Sequence, residues 1–206
     1  MACENESYDS GTGNYSLIQA DFVEAHSNNG CAVDYVITDD NDSLAIVPQQ
    51  TANWITRPDT AYRAILYYEK MGDNQAEPMS ISQVPTLTIT PVKSFKEVNT
   101  YPVKFESIWI SKNKKYINLG FYLKVGEINK DESLHTIGMM RDTVITNDDG
   151  SHTSYLRLYH DQGDVPEYYS AKYYVSFPCS TLDGDSVCIS INTYNGMVTR
   201  KLKLPK

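Results

Sequence analysis

Four histidines are the residues of this sequence best suited to acid–base chemistry: His26, His135, His152 and His160. His26 and His152 lie among turn-forming residues, where a solvated imidazole is the simpler interpretation. His160 precedes Asp161, and a carboxylate beside an imidazole can orient it as a general base. However, no serine or cysteine lies in a G-x-S-x-G elbow that would supply a nucleophile. The pattern therefore favours a protein that is not an enzyme, and no catalytic residue is assigned.

Three acidic clusters carry enough oxygen ligands for a calcium ion, at 39–42, 147–149 and 183–185. Counted from the start of the first cluster, the sixth position is Leu44 and the twelfth is Gln50, where a calcium loop needs glycine and glutamate. Asn, Asp and Gly also favour tight turns. No cysteine or histidine pair has zinc spacing. We therefore expect turns here, with neither metal nor other cofactor, while a carboxylate pair that meets only in three dimensions stays open.

The cysteine nearest the start of the chain has the setting of a lipidation site. Met1 and Ala2 precede Cys3, and an acidic, Ser/Gly-rich run without apolar period follows as far as residue 14. A small residue, a cysteine and a polar leader are typical of bacterial lipoproteins after signal removal. Cys3 is therefore predicted to carry a lipid, with residues 1–13 as a disordered tether. The alternative is that Cys3 is an unmodified thiol.

The other cysteines, Cys31, Cys179 and Cys188, are odd in number, so one stays unpaired unless Cys3 joins a bridge. A disulfide between Cys179 and Cys188 would close the polar loop between them, which an oxidising compartment permits. The alternation of apolar residues argues against this disulfide, because it places the Cys179 side chain on the inner face of its strand and the Cys188 side chain on the outer face of its strand. Pro178 could reset the phase through a bulge, so both alternatives stay open.

Composition excludes some classes of partner. The net charge of -8 gives an average field that repels phosphate, and the basic cluster at 112–115 is typical of a hairpin turn. No apolar run approaches the length of about 18 residues that a membrane-spanning helix needs. We therefore expect no nucleic-acid partner, and contact with a membrane only through the N-terminal lipid.

The elements that would position these residues are strands. The sequence has 16 tyrosines against 5 phenylalanines and many Thr, Val and Ile, which favours an all-β protein. Apolar alternation between short turns predicts a five-stranded, OB-like barrel over residues 14–93. In its first strand Ile18, Ala20 and Phe22 share one face, and in its second Tyr35 shares a face with Val33. The predicted strands are 15–23, 31–37, 44–47, 61–71 and 82–92.

Seven further strand-like runs follow the segment 91–102, whose Tyr-Pro step places a domain boundary there. The turns at 147–151 and 195–196 mark tight reversals between antiparallel neighbours. This number and spacing of runs predicts that residues 100–206 form an immunoglobulin-like β-sandwich of seven antiparallel strands. The predicted strands are 105–111, 115–125, 134–142, 154–160, 171–177, 186–194 and 197–204.

Alternation along three of these strands sends polar aromatic residues to the side opposite the core. Where the apolar residues of 116–125, 155–159 and 173–177 face inward, their neighbours face solvent or a partner. Tyrosine and arginine are common anchors of protein interfaces, and aromatic rings also stack on sugars. The alternative is that these residues merely cover the sheets. The candidate contact face comprises Tyr116, Asn118, Tyr122, Tyr155, Arg157, Tyr159 and Tyr174.

Five short runs of the second half occur in a characteristic order, at 115–121, 134–135, 155–164, 176–177 and 195–196. Together with the cysteine and its acidic leader, they resemble the NigD-like lipoproteins of Bacteroides-type bacteria. The resemblance covers nearly the whole chain and is closer in the second half. It implies an N-terminal OB-type barrel followed by a C-terminal β-sandwich.

The resemblance also implies a class of function. It suggests an exported, non-catalytic lipoprotein that is anchored in the outer membrane and faces the periplasm or the cell surface. We expect it to act as a protein-interaction or binding module, with an unknown envelope protein or a glycan as its partner. One alternative is a glycan-binding lipoprotein that uses its surface tyrosines. A further alternative is a bacteriocin immunity protein, because the family name is associated with a bacteriocin locus.

Overall fold

The computed structural model describes residues 17–126 and 134–205, and most of them lie in β-strands. The chain divides into two compact units between Gln83 and Val84. The predicted all-β fold, a five-stranded barrel followed by a sandwich, is confirmed. The predicted tether 1–13, with Cys3, lies outside the described residues. Within the two described ranges, no helix has the length and apolar character needed to cross a membrane.

The first unit is built from five strands. They are β1 (Ile18–Ser27), β2 (Val33–Thr38), β3 (Ser43–Gln50), β4 (Ala61–Lys70) and β5 (Gln75–Gln83). They close into a barrel in the order β1-β2-β3-β5-β4, with β1 pairing antiparallel with both β2 and β4. A short parallel contact joins Ala45 and Ile46 of β3 to the start of β5. This order and this parallel contact are those of an OB barrel.

The barrel core shows that the predicted strand faces were wrong in the first unit. Val23, Ala25 and Ser27 are the buried residues of β1, so Ala20 and Phe22 lie on the opposite face. In β2 a register shift after Val33 breaks the alternation, and Val36 is buried while Tyr35 is exposed. A bulge of this kind leaves no apolar signature that alternation could detect.

The end of the barrel also differs from the expectation. The fifth strand was predicted over 82–92, but β5 ends at Gln83, and residues 89–91 form a separate strand in the second unit. The true β5 contains Pro78 and few apolar residues, and only Ala76 is buried, so it carries no strand pattern. The division of the units therefore precedes the segment 91–102 in which the sequence placed the boundary.

The second unit is a sandwich of two sheets. Its strands are β6 (Ile89–Pro91), β7 (Lys104–Ile110), β8 (Tyr116–Val125), β9 (Thr136–Thr146), β10 (His152–Asp161), β11 (Tyr169–Pro178), β12 (Ser186–Thr193) and β13 (Gly196–Lys203). One sheet has the order β13-β12-β10-β9-β6 and the other the order β11-β8-β7. The described part thus has the seven predicted strands and the short β6 as an eighth. The pairings of β10 with β12 and of β6 with β9 are parallel, so the sandwich is not purely antiparallel.

The two sheets share one hydrophobic core. Phe121 and Phe177 from the smaller sheet are fully buried, as are Ile189 and Ile191 from the larger one, and Leu156 is 1% exposed. Burying such side chains contributes roughly 1.5–3 kcal/mol each relative to leaving them in water. Because this core fixes the inner face of both sheets, the alternate residues of each strand must lie on two outer faces that point away from each other.

Candidate binding surface

The structure divides the predicted contact face between these two outer faces. Tyr116 and Tyr122 on β8 and Tyr174 on β11 belong to the three-stranded sheet. Three others, Tyr155, Arg157 and Tyr159, lie on β10 in the five-stranded sheet. The two groups are on opposite sides of the sandwich, so the seven residues do not form one surface. Strand alternation shows which residues face outward but not which strands share a sheet.

Asn118 is not part of either outer face, because its side chain is fully buried. It lies on the central strand β8, in register with Trp109 on one side and Ser176 on the other. The Ser176 hydroxyl donates a hydrogen bond of 2.7 Å to the Asn118 side-chain oxygen. The predicted exposure of Asn118 was therefore wrong, because Asn118 lies in the central strand between Trp109 and Ser176 and is hydrogen-bonded to Ser176.

The outer face of the three-stranded sheet carries a compact cluster that we call the aromatic–lysine surface. The Trp109 and Tyr174 rings meet edge to face with their centroids 6.3 Å apart. Between them and Tyr122 lies Gly120, whose missing side chain leaves room for Tyr174 and Glu106 to fold over the sheet. The members of this surface are Lys104, Glu106, Trp109, Tyr122, Lys172 and Tyr174.

Lysine side chains cover the aromatic rings of this surface. The Lys104 ammonium lies 4.8 Å from the centroid of Tyr122, and the Lys172 ammonium lies 4.9 Å from that of Tyr174. Lys172 also forms a 2.7 Å ion pair with Glu106. Hydrogen bonding to Glu106, and then to Tyr174, raises the pKa of Lys172 above its ordinary value. The amine is therefore held charged, in a fixed place over the sheet.

Only part of this surface was predicted from the sequence. Tyr122 and Tyr174 were named, whereas Lys104, Glu106, Trp109 and Lys172 were not. Trp109 pairs with Asn118, so its side chain lies on the outer side of the sheet. The register shift between Phe105 and Ser107 in β7 hides this from a simple alternation. Lys172 is two residues from Tyr174 on the same strand, so alternation along β11 could have identified it.

On the outer face of the five-stranded sheet, Arg157 and Tyr159 already contact other side chains of the same unit. The Arg157 guanidinium donates hydrogen bonds of 2.6 and 3.3 Å to the Asp142 carboxylate. Tyr159 packs against Phe95, with ring centroids 4.8 Å apart. Because these groups already have partners in the same unit, this face offers fewer anchors than the aromatic–lysine surface.

The histidine that the sequence singled out, His160, is buried and pairs with the half-buried His135 instead of forming a dyad with Asp161. His135 Nδ1 and His160 Nε2 are 3.0 Å apart, and the outer nitrogens contact the carbonyl oxygens of Lys124 at 3.0 Å and of Tyr101 at 2.9 Å. Since carbonyl oxygens only accept, a hydrogen bond at either outer nitrogen requires that this nitrogen carry the proton. Burial lowers the pKa of both imidazoles.

Asp161 takes no part in this pair. One of its oxygens accepts a 3.0 Å hydrogen bond from Asn99, and the other accepts the backbone N–H of Gly163 at 3.1 Å. These two hydrogen bonds, first that from Gly163, lower the pKa of Asp161. The arrangement therefore fixes a loop and does not orient an imidazole for proton transfer.

An apolar cavity of about 490 Å³ opens beside the histidine pair, between β8, β11 and the start of β9. Its volume lies within the range of roughly 300–1,000 Å³ that is usual for ligand pockets. Apolar side chains form most of its wall, and His135 also lines it. The apolar and aromatic lining includes Leu87, Leu123, Val125, Ala171 and Tyr173.

Two of the three acidic clusters form ion pairs with arginines. Asp39 of the first cluster forms a bidentate pair with Arg63, at 2.6 and 2.7 Å, and Asp183 of the third accepts a hydrogen bond from Arg141. Across residues 17–126 and 134–205, no group of three or more His, Cys, Asp or Glu side chains could hold a metal ion. Cys179 is buried and Cys188 is half-buried, and both are free thiols.

Comparisons with known proteins identify relatives of this chain. Residues 85–204 match the family model described as the NigD-like C-terminal beta sandwich domain. None of the curated proteins compared with the chain is significantly similar to it.

Several solved structures share the fold over both units. A NigD-like immunity protein from Bacteroides caccae is 23% identical, with a TM-score of 0.68 over 89% of this chain and 91% of that one. A candidate toxin-related protein from Parabacteroides distasonis is 21% identical, with a TM-score of 0.67 over 90% and 92%. A candidate lipoprotein from Bacteroides fragilis is 15% identical, with a TM-score of 0.62 over 91% and 97%. At these identities the likeness concerns the fold.

Proposed function

Because the chain belongs to the NigD-like family through its sandwich domain at 85–204, we propose that it is an exported, non-catalytic binding module of the bacterial cell envelope. A lipid on Cys3 would anchor it in the outer membrane, on the periplasmic or the cell-surface side. The setting of Cys3 and the candidate lipoprotein of similar fold from Bacteroides fragilis support this proposal. The polar leader would then hold the two folded units away from the membrane.

Between a protein and a glycan, the partner is a protein, because lysine side chains cover the tyrosine rings on which a sugar would stack. A sugar stacks on the open face of an aromatic ring. Here ammonium groups lie 4.8 Å from the centroid of Tyr122 and 4.9 Å from that of Tyr174, so sugar binding would have to displace both lysines. A protein partner can instead contact the ring edges and pair its carboxylates with the same ammonium groups. Tryptophan and tyrosine are also enriched among the residues that dominate protein interfaces.

A bacteriocin immunity protein would be one form of such a module. The similar structure from Bacteroides caccae is described as a NigD-like immunity protein, which makes a secreted toxin one candidate among possible envelope proteins. The aromatic–lysine surface does not distinguish a toxin from another protein partner.

Site-specific photo-crosslinking in the living bacterium tests the protein partner. A photoreactive amino acid at Tyr122 should form a discrete covalent adduct with one envelope protein. The same substitution at Tyr155, on the opposite face, is the matched control and should give no such adduct. Absence of an adduct at Tyr122, combined with binding of the purified protein to an oligosaccharide array, would reject the protein partner in favour of a glycan.

The lipid anchor is tested separately. Metabolic labelling with an alkyne-bearing fatty acid should mark the wild-type protein, and the membrane fraction should contain it. The Cys3→Ser variant should lose the label and leave the membrane fraction, while Cys31→Ser should behave like the wild type. Labelling that persists in Cys3→Ser contradicts lipidation at this position.

A further inference from the structure

Within residues 17–126 and 134–205, one edge of β11 has no paired strand along residues 169–173, beside the apolar cavity. At its far end the Ser176 N–H donates to the Pro85 carbonyl at 3.0 Å, and the Ser176 carbonyl accepts the Leu87 N–H at 2.8 Å, so these groups point away from β8. Since β11 pairs with β8 without a register shift, the backbone groups of Ser170 and Lys172 point the same way. Among the described residues, neither has a backbone partner on that side.

Side-chain exposure along β11 also differs between the end beside the cavity and the end beside residues 85–87. Residues 169–173 are exposed apart from the half-buried Ala171, whereas 175–177 are buried where residues 85–87 lie alongside. An open edge of this kind is a template for another strand, and proteins commonly protect it with a lysine. Here Lys172 is drawn back over the sheet by its ion pair with Glu106. The edge groups are therefore left accessible.

The two sides of this edge differ in chemistry. On the inner side, Ala171 and Tyr173 line the 490 Å³ cavity together with Leu87, Leu123 and Val125. On the outer side, the three described strands carry Lys104, Lys124 and Lys172 against the single carboxylate of Glu106. An added strand would alternate between these two environments, because successive side chains of a strand point to opposite faces.

We propose that the free edge of β11 accepts an extended segment of another protein, in which apolar side chains enter the cavity and alternate acidic side chains meet the lysines. This inference rests on the proposed function only in taking a protein as the partner. Backbone hydrogen bonds would supply affinity, and the cavity and lysines would select the segment, as in other cases of β-strand addition. A second copy of this chain is a poorer occupant, because two β11 edges would bring their Lys172 side chains together.

The probe is a synthetic hexapeptide with blocked ends in which glutamate and leucine alternate, and its binding to the full chain is measured by titration calorimetry. We expect Ser170→Pro to weaken binding at least tenfold, because it removes an edge N–H without touching the bonds to β8. The matched control, Ser170→Ala, keeps that N–H and should bind like the wild type. Ala171→Phe, which fills the cavity, should also weaken binding at least tenfold.

Three results would overturn the proposal. Equal binding by wild type and Ser170→Pro would exclude the edge, and equal binding of a lysine–leucine peptide would exclude the charge selection. Self-association of the chain that Ser170→Pro abolishes would identify a second copy as the occupant. If Ser170→Pro does not fold, the edge is tested from the other side, with a glutamate–leucine peptide that is N-methylated at alternate residues and so lacks half of its backbone N–H donors. Undiminished binding of that peptide to the wild type would also overturn the proposal.

These results are independent of the crosslinking at Tyr122. A peptide bound at the edge without an adduct at Tyr122 would uphold this inference and reject the proposed protein contact at the aromatic–lysine surface. An adduct at Tyr122 without peptide binding at the edge would uphold the protein contact at the aromatic–lysine surface and reject this inference.

Discussion

Replacement of Gly120 by alanine tests whether the aromatic–lysine surface depends on the space above this residue. A methyl group there would lie 2.9 Å from Tyr174 Cε1, 2.9 Å from Glu106 Oε2 and 3.1 Å from the Ser107 hydroxyl. The Glu106 carboxylate can swing aside at little cost, but the Tyr174 ring is held between Trp109 and the sheet. The change therefore forces the ring, and the lysine above it, away from their positions.

The magnitude follows from two opposing effects. Overpacking of this kind costs about 1–3 kcal/mol. Replacing a strand glycine with alanine recovers about 0.5–1 kcal/mol of conformational entropy. We therefore expect Gly120→Ala to lower the free energy of unfolding of the second unit by about 0–2.5 kcal/mol, and to reduce the crosslinking from Tyr122. The variant should then be about 1–3 kcal/mol less stable than a glycine-to-alanine change without overpacking would make it.

The matched control is Gly138→Ala in β9. Its new methyl group would meet its nearest atom, Tyr159 Cβ, at 3.6 Å, which is ordinary van der Waals contact. This variant should be unchanged or up to about 1 kcal/mol more stable.

The assay is urea unfolding followed by tryptophan fluorescence. The chain has 2 tryptophans, Trp54 in the first unit and Trp109 in the second. In a Trp54→Phe background the signal therefore reports the second unit alone. Equal stability of the Gly120 and Gly138 variants would refute the close packing of Tyr174 over Gly120.

Three further changes test other parts of the structure. Arg63→Met should destabilise the first unit by about 3 kcal/mol, because the side chain of Asp39, which is only 16% exposed, loses its bidentate partner. Urea unfolding followed by Trp54 fluorescence measures this loss. The control Arg57→Met, at an exposed position, should have little effect. Phe177→Ala should cost the second unit about 3–5 kcal/mol in urea unfolding, and a loss below 1 kcal/mol would contradict its burial. Burial lowers the pKa of His160, so the unfolded chain binds more protons below pH of about 6.5. The stability of the second unit should therefore fall as the pH decreases from 7 to 5, and the decrease should be smaller in His160→Gln.

The second unit was the easier one to predict, because the apolar residues of its central strand β8 alternate without a break. Ile117, Leu119 and Phe121 alternate without interruption, and all three are buried as expected. In the first unit, the register shift after Val33 reversed the predicted face of Tyr35. Alternation is a local signal, so it fails wherever a bulge inserts a residue.

The candidate site was harder to predict than the strands. Which strands share a sheet depends on pairings between residues far apart in sequence, such as that of Tyr174 with Gly120. The burial of Asn118 and the drawing back of Lys172 by Glu106 depend on the same pairings. These contacts are set by tertiary structure, and no pattern within a single strand records them.

The distribution of charge explains how an acidic chain can select an acidic segment. The net charge of -8 repels such a partner at long range, but at physiological ionic strength the Debye length is only about 8 Å. On the outer side of the sheet, however, Lys104, Lys124 and Lys172 stand against the carboxylate of Glu106, which Lys172 already neutralises. The long-range repulsion therefore slows encounter, while the local field favours acidic side chains once contact is made. Binding of the glutamate–leucine peptide should accordingly weaken as salt increases, and salt-independent binding would show that the lysines take no part.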